Sequence, residues 1–164
     1  MIRGIEEPPV QAMIGGKTPL YLAVENGYPE IIKILVNETR FKNPPGSTDA
    51  TPLHLAARLG DIDTVQLISG QVDDANPVDI FGITPLHWAC FEGHLEIVRV
   101  ICPFIEDKNP HCEKLCTPFR IAKSRNFNDI VEYFTQEWEI DGNDFQCDCS
   151  ELDPSQAKKG KLVD

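Results

Sequence analysis

Thr51-Pro52-Leu53-His54-Leu55-Ala56-Ala57 is followed, 33 residues on, by Thr84-Pro85-Leu86-His87-Trp88-Ala89-Cys90. Looser copies flank them at the same interval: Thr18-Pro19-Leu20-Tyr21-Leu22-Ala23 and Thr117-Pro118-Phe119-Arg120-Ile121-Ala122. One constant period across four copies means one structural unit repeated in tandem, so a stack of units is expected rather than a single globule. A stack presents a long surface and few enclosed pockets.

Each copy reads as a helix start. Thr is a good N-cap, because its hydroxyl accepts a hydrogen bond from a free amide of the first turn. Pro at the next position has no N–H to lose and a φ that is already helical. Leu20, Leu53, Leu86 and Phe119 then stand three residues before Ala23, Ala56, Ala89 and Ala122. That spacing puts one large and one small apolar side chain on a single face. The stop is as regular: Gly27, Gly60, Gly93 and Asn126 lie 33 apart. Glycine is the usual left-handed helix terminator, with Asn the next best. A second helix is predicted around residues 31–35, 64–68, 97–101 and 130–134, each apolar set broken by a polar residue at the same place. These β-branched runs could also be strands. Their common register behind a glycine-type stop favours helices.

Between units stand Lys42-Asn43-Pro44, Ala75-Asn76-Pro77 and Lys108-Asn109-Pro110, which favour turns. Two residues before each Thr lie Gly16, Asp49, Gly82 and Leu115. The two glycines suit a turn with positive φ and Asp tolerates it, but Leu does not, so the turn before unit four should be reshaped.

These features resemble the ankyrin repeat, whose signature is T-P-L-H-x-A at this period. The likeness runs from about Met13 to Phe134. It implies an all-α solenoid of stacked antiparallel helix pairs with β-turn fingers. It divides the chain into an N-terminal extension at 1–12, four repeats at about 13–44, 45–77, 78–110 and 111–138, and an acidic tail at 139–164. Tyr21 and Arg120 depart from the His of the pattern, which suits outer units that meet water. A fragment of a longer array, acting as a structural piece, would read the same way.

The resemblance also implies binding of another protein through the finger tips and the first-helix face. By register, unit three offers Ile80, Phe81 and Ile83 at its tip and Phe91 and Glu92 at its first-helix end. Unit two adds Arg58 and Leu59, and unit four adds Lys114. Ile80, Phe81, Ile83 and Phe91 would form an apolar cluster on a wet face unless some of them fold inward. Exposed apolar patches and aromatic anchors are typical of docking sites.

Composition narrows the partner. Fifteen Lys and Arg against 26 Asp and Glu leave a net charge of −11. Nucleic acid and anionic membranes need a basic footprint, so neither is expected. Met1 to Val10 carries Glu6, Glu7, Pro8 and Pro9 where a secretion leader would be apolar. A monomer in the cytosol or nucleus, with reduced thiols, is expected.

No catalytic residue, cofactor or metal site is expected either. A nucleophile elbow is missing. Gly15-Gly16-Lys17-Thr18 lacks the upstream glycine of a phosphate-binding loop, Gln11 standing there. Cys112, Cys116, Cys147 and Cys149 do not have a common zinc spacing. His54 and His87 read as ties between a helix start and neighbouring backbone.

Overall fold

The computed structural model describes residues 16–38, 45–46, 48–112 and 116–140. Among them are four helix pairs: α1 Pro19–Glu25 with α2 Pro29–Glu38, α3 Pro52–Leu59 with α4 Ile62–Ser69, α5 Pro85–Glu92 with α6 Leu95–Ile101, and α7 Pro118–Ser124 with α8 Asn128–Trp138. A short 3-10 turn, Cys102–Phe104, follows α6. Helices of seven to eleven residues are too short to persist alone in water. Their stability must come from lateral packing. The first helices form one layer, α1 against α3, α3 against α5 and α5 against α7, and the second helices form another.

The helix starts behave as their sequence requires. Thr18, Thr84 and Thr117 cap their helices, accepting the amides of Tyr21, His87 and Arg120. In α4 the cap is Asp61, which accepts the Thr64 amide at 3.0 Å and the Thr64 hydroxyl at 2.6 Å. The core is one continuous cluster running through all four pairs. Leu53, Ala56, Leu86, Ala89, Ile97, Ile130 and Phe134 are fully or almost fully buried within it. Ala at the fourth position after Pro lets neighbouring first helices approach closely. In the outer layer of unit one, α2 leaves Ile31 and Ile34 exposed.

The fingers repeat one closure 33 residues apart. The Gly46 amide donates to the Ala50 carbonyl, Asp79 to Ile83 and Cys112 to Cys116, at 2.9, 2.9 and 3.0 Å. In finger three the Asp79 carboxylate also accepts the amides of Phe81 and Ile83, fixing the tip. Asn76 and Asn109 brace the base of each finger by accepting the amides of Leu86 and Phe119, both at 3.1 Å. Asp49 takes a φ of 55°, the left-handed value the sequence asks of that slot. The reshaping expected at Leu115 lies outside the described residues, as do Lys42, Asn43 and Pro44.

The helix stops serve a second purpose. Gly27, Gly60, Gly93 and Asn126 all adopt positive φ. Beyond conformation, the ring of the following unit sits against two of these glycines. A Cβ on Gly60 would lie 2.9 Å from the His94 ring, and one on Gly93 would lie 2.4 Å from the Phe127 ring. At Gly27 a Cβ would meet nothing within 4 Å. The Gly27→Ala variant therefore suffers only left-handed strain, about 1 kcal/mol. The Gly93→Ala variant must also displace Phe127, for a total of about 3 kcal/mol. Thermal melts of the two single variants should show the second falling well below the first; equal losses would contradict the ring-on-glycine packing.

Candidate partner-binding face

Two histidines join units. The Thr51 amide donates to His54 Nδ1 at 3.0 Å, and His54 Nε2 lies 3.0 Å from the Ile83 carbonyl. An amide can only donate and a carbonyl only accept, so Nδ1 must be bare and Nε2 must carry the proton. His87 repeats this between the Thr84 amide and the Cys116 carbonyl, at 3.1 and 3.2 Å. Each imidazole therefore fastens its own helix start to the finger of the next unit. Both rings are almost fully buried, and desolvation lowers each pKa to about 4, against the opposing pull of the carbonyl hydrogen bonds. They are neutral at pH 7 and occupied at both nitrogens, so they serve as structural ties and not as acid–base groups.

The thiols of Cys90 and Cys102 are equally passive. Burial pushes Cys102 up to about 12 and Cys90 well above its ordinary value. Cys112 and Cys116 are buried on either side of the finger-four closure. Among the described residues, no group of three His, Cys, Asp or Glu side chains converges as a metal site. Cys147 and Cys149 lie outside them. A groove of about 380 Å³ runs between the loops that follow α4 and α6, edged by Asp73, Asp74, Glu106 and Asp107 and walled partly by Val78 and Phe104.

The residues expected at the docking face separate into three groups. Leu59 and Ile80 are exposed, at 52% and 49%. Glu92 is exposed and Arg58 half-buried. Phe81 and Phe91 are half-buried and pack against the core cluster. Ile83 is only 7% exposed, which removes it from the expected apolar cluster. It turns inward because the finger closes through its own backbone: its amide bonds Asp79 while its carbonyl receives His54. Lys114 lies outside the described residues.

Sequence reasoning missed an arrangement that links three units. Trp88 and Phe91 meet edge to face, centroids 6.1 Å apart at 81°. The Arg58 guanidinium lies over the Trp88 ring at 5.2 Å, and the Arg125 guanidinium lies over the Phe91 ring at 4.0 Å. An aromatic pair from unit three is thus bracketed by arginines from units two and four. Cation–aromatic contacts of this kind contribute about 0.5–1 kcal/mol each when partly exposed. The signal was present in register: Arg58 and Phe91 share one slot, and Glu92 and Arg125 share the next.

Stacked helix pairs with projecting turns define a repeat scaffold, whose layered architecture offers surface more than cavity. The family model described as ankyrin repeats (3 copies) matches residues 5–75 and 53–146, and the chain belongs to the ankyrin repeat family. Ankyrin repeats are in general protein–protein interaction modules. No curated protein matches the sequence.

The histidine ties carry a pH dependence of definite sign. Each pKa is depressed in the folded state from 6.5 to about 4. Between those values the unfolded chain binds protons that the folded chain refuses, so stability falls as pH drops from 6.5 towards 4. The loss should reach on the order of 3 kcal/mol per histidine. Urea unfolding across this range should give a shallower pH slope for His87→Gln than for the parent, whatever its absolute stability. Parallel slopes would mean that His87 is not held neutral.

Proposed function

We propose that the chain is a non-catalytic interaction module, an adaptor, scaffold or inhibitor, that grips another protein through its finger tips and first-helix face. The repeats between residues 13 and 138 form the gripping unit. The observation that carries this reading is the pair Leu59 and Ile80. Both are large, apolar and half exposed; Ile80 adjoins the half-buried Phe81, and Leu59 fills in unit two the slot that Glu92 fills beside the half-buried Phe91 in unit three. Apolar side chains left in water beside aromatic anchors are what a protein partner buries on docking.

Charge and shape set the remaining limits. A net charge of −11 disfavours nucleic acid and anionic membrane surfaces. Among the described residues, no helix is long and apolar enough to cross a membrane. The buried thiols of Cys90 and Cys102 and the doubly bonded imidazoles of His54 and His87 support a role without catalysis. We place the protein in the cytosol or nucleus as a monomer.

Phe91 is a poor choice for testing docking alone, because its ring also supports Trp88 and Arg125. Phe91→Ala should cost about 1–2 kcal/mol of stability through those lost contacts. The pair Leu59→Ser with Ile80→Ser removes exposed surface and should leave the melt within about 1 kcal/mol of the parent. Affinity capture from the native source, compared between the parent and this double variant, should lose its specific partner at least tenfold. Undiminished capture by the folded double variant would overturn the proposed face.

A further inference from the structure

Arg58 and Arg125 differ from the other basic side chains resolved in ion pairs. Lys17 is paired with Glu25 at 2.6 Å, Lys33 with Glu30 at 3.8 Å and Arg99 with Glu96 at 4.0 Å. Neither Arg58 nor Arg125 meets a carboxylate among the described residues; each is held over an aromatic ring instead. An arginine placed over a ring offers its π face to that ring and keeps its N–H edge for other acceptors. The edge can take a carboxylate through two parallel hydrogen bonds. The stack thus holds two guanidiniums in place, with no carboxylate on either among the described residues.

The spacing between them is bounded. The steps from Arg58 to Trp88, Trp88 to Phe91 and Phe91 to Arg125 are 5.2, 6.1 and 4.0 Å, so the guanidiniums are at most about 15 Å apart. An extended peptide covers that distance in about five residues. Leu59 follows Arg58 in the chain and is exposed, and Phe91 lies under Arg125 and is half-buried, so each arginine has apolar surface beside it. Glu92 is an exposed anion next to Phe91, and Glu25, which fills the slot of Arg58 in unit one, is already paired with Lys17; two guanidiniums outweigh Glu92.

We propose that the partner presents an extended acidic segment to this face, with two carboxylates up to about five residues apart and an apolar side chain between them. Arg58 takes one carboxylate, Arg125 takes the other, and the apolar side chain meets Leu59 and the edge of Phe91. The inference rests on the reading of the first-helix face as the docking surface. The overall negative charge does not prevent such a contact. At physiological salt the screening length is about 8 Å, so distant carboxylates are damped while two touching guanidiniums are not.

The test pans a random twelve-residue peptide library against the folded full chain and titrates the enriched peptides by fluorescence anisotropy. Expected are peptides rich in Asp and Glu around an apolar residue. Their affinity should fall at least tenfold with Arg58→Gln or Arg125→Gln and should weaken as salt rises. Arg58→Lys keeps the charge but loses the two-pronged donor, and should recover only part of the loss. Thermal melts of each variant, with binding measured well below them, separate docking from folding. An unenriched library, or peptides without an acidic bias, would overturn the acidic segment. So would acidic peptides that bind Arg58→Gln and Arg125→Gln normally. Within those outcomes, peptides lost on Leu59→Ser leave the docking face standing, whereas peptides indifferent to Leu59→Ser remove it as well.

Discussion

A proton fixed on one nitrogen of a buried imidazole decides how this molecule is joined. His54 and His87 each receive an amide from their own helix start and give a hydrogen bond to the finger ahead. The amide and the carbonyl would both be buried polar groups needing partners, and the ring serves both at once. Around this tie the other regularities fall into place. The threonine caps begin the helices, the glycines stop them, and the alanines let adjacent first helices close up. The core between them then fills without a break from Leu20 to Phe134.

The same layering explains why the surface, and not an interior, carries the chemistry. The imidazoles of His54 and His87 and the thiols of Cys90 and Cys102 are enclosed and kept uncharged. What remains accessible is a row of slots in which each unit places one or two side chains. In units two to four those slots hold Arg58 and Leu59, Phe91 and Glu92, and Arg125. Cation, aromatic and cation meet because the units are stacked closely enough for side chains from three of them to touch. On the proposed reading, a surface assembled from separate repeats is partly pre-formed before a partner arrives, which lowers the ordering cost of binding.

Much of the fold was legible because its signals are local. Thr-Pro states where a helix begins and Gly where it ends, and both depend on a few neighbouring dihedrals. The period then did the work of an alignment, since a substitution such as Asn126 for Gly could be checked against three sister positions. The face was less legible. Ile83 looked like a tip residue, but its orientation is set by two backbone hydrogen bonds reaching Asp79 and His54. Phe91 looked like a free anchor, but its ring is engaged by Trp88 and Arg125. Two of these contacts, His54 with Ile83 and Phe91 with Arg125, join neighbouring units about one repeat apart, and the others depend on which way a ring or a carboxylate turns; neither is written in spacing. Trp88 stands where the sister units carry Leu22, Leu55 and Ile121, and it lies at the centre of the stack.

Where the pattern calls for histidine, unit one has Tyr21 instead. Among the described residues, no imidazole therefore spans the seam between the first pair of helices and finger two, although both later seams are bridged. The outer helix of that first pair also wets Ile31 and Ile34. In a chain of nearest-neighbour couplings, the weakest coupling sets where unravelling begins. The first pair is joined to the second by lateral packing of α1 on α3 and α2 on α4, so that seam leans on apolar contact where the later two add a buried polar rivet.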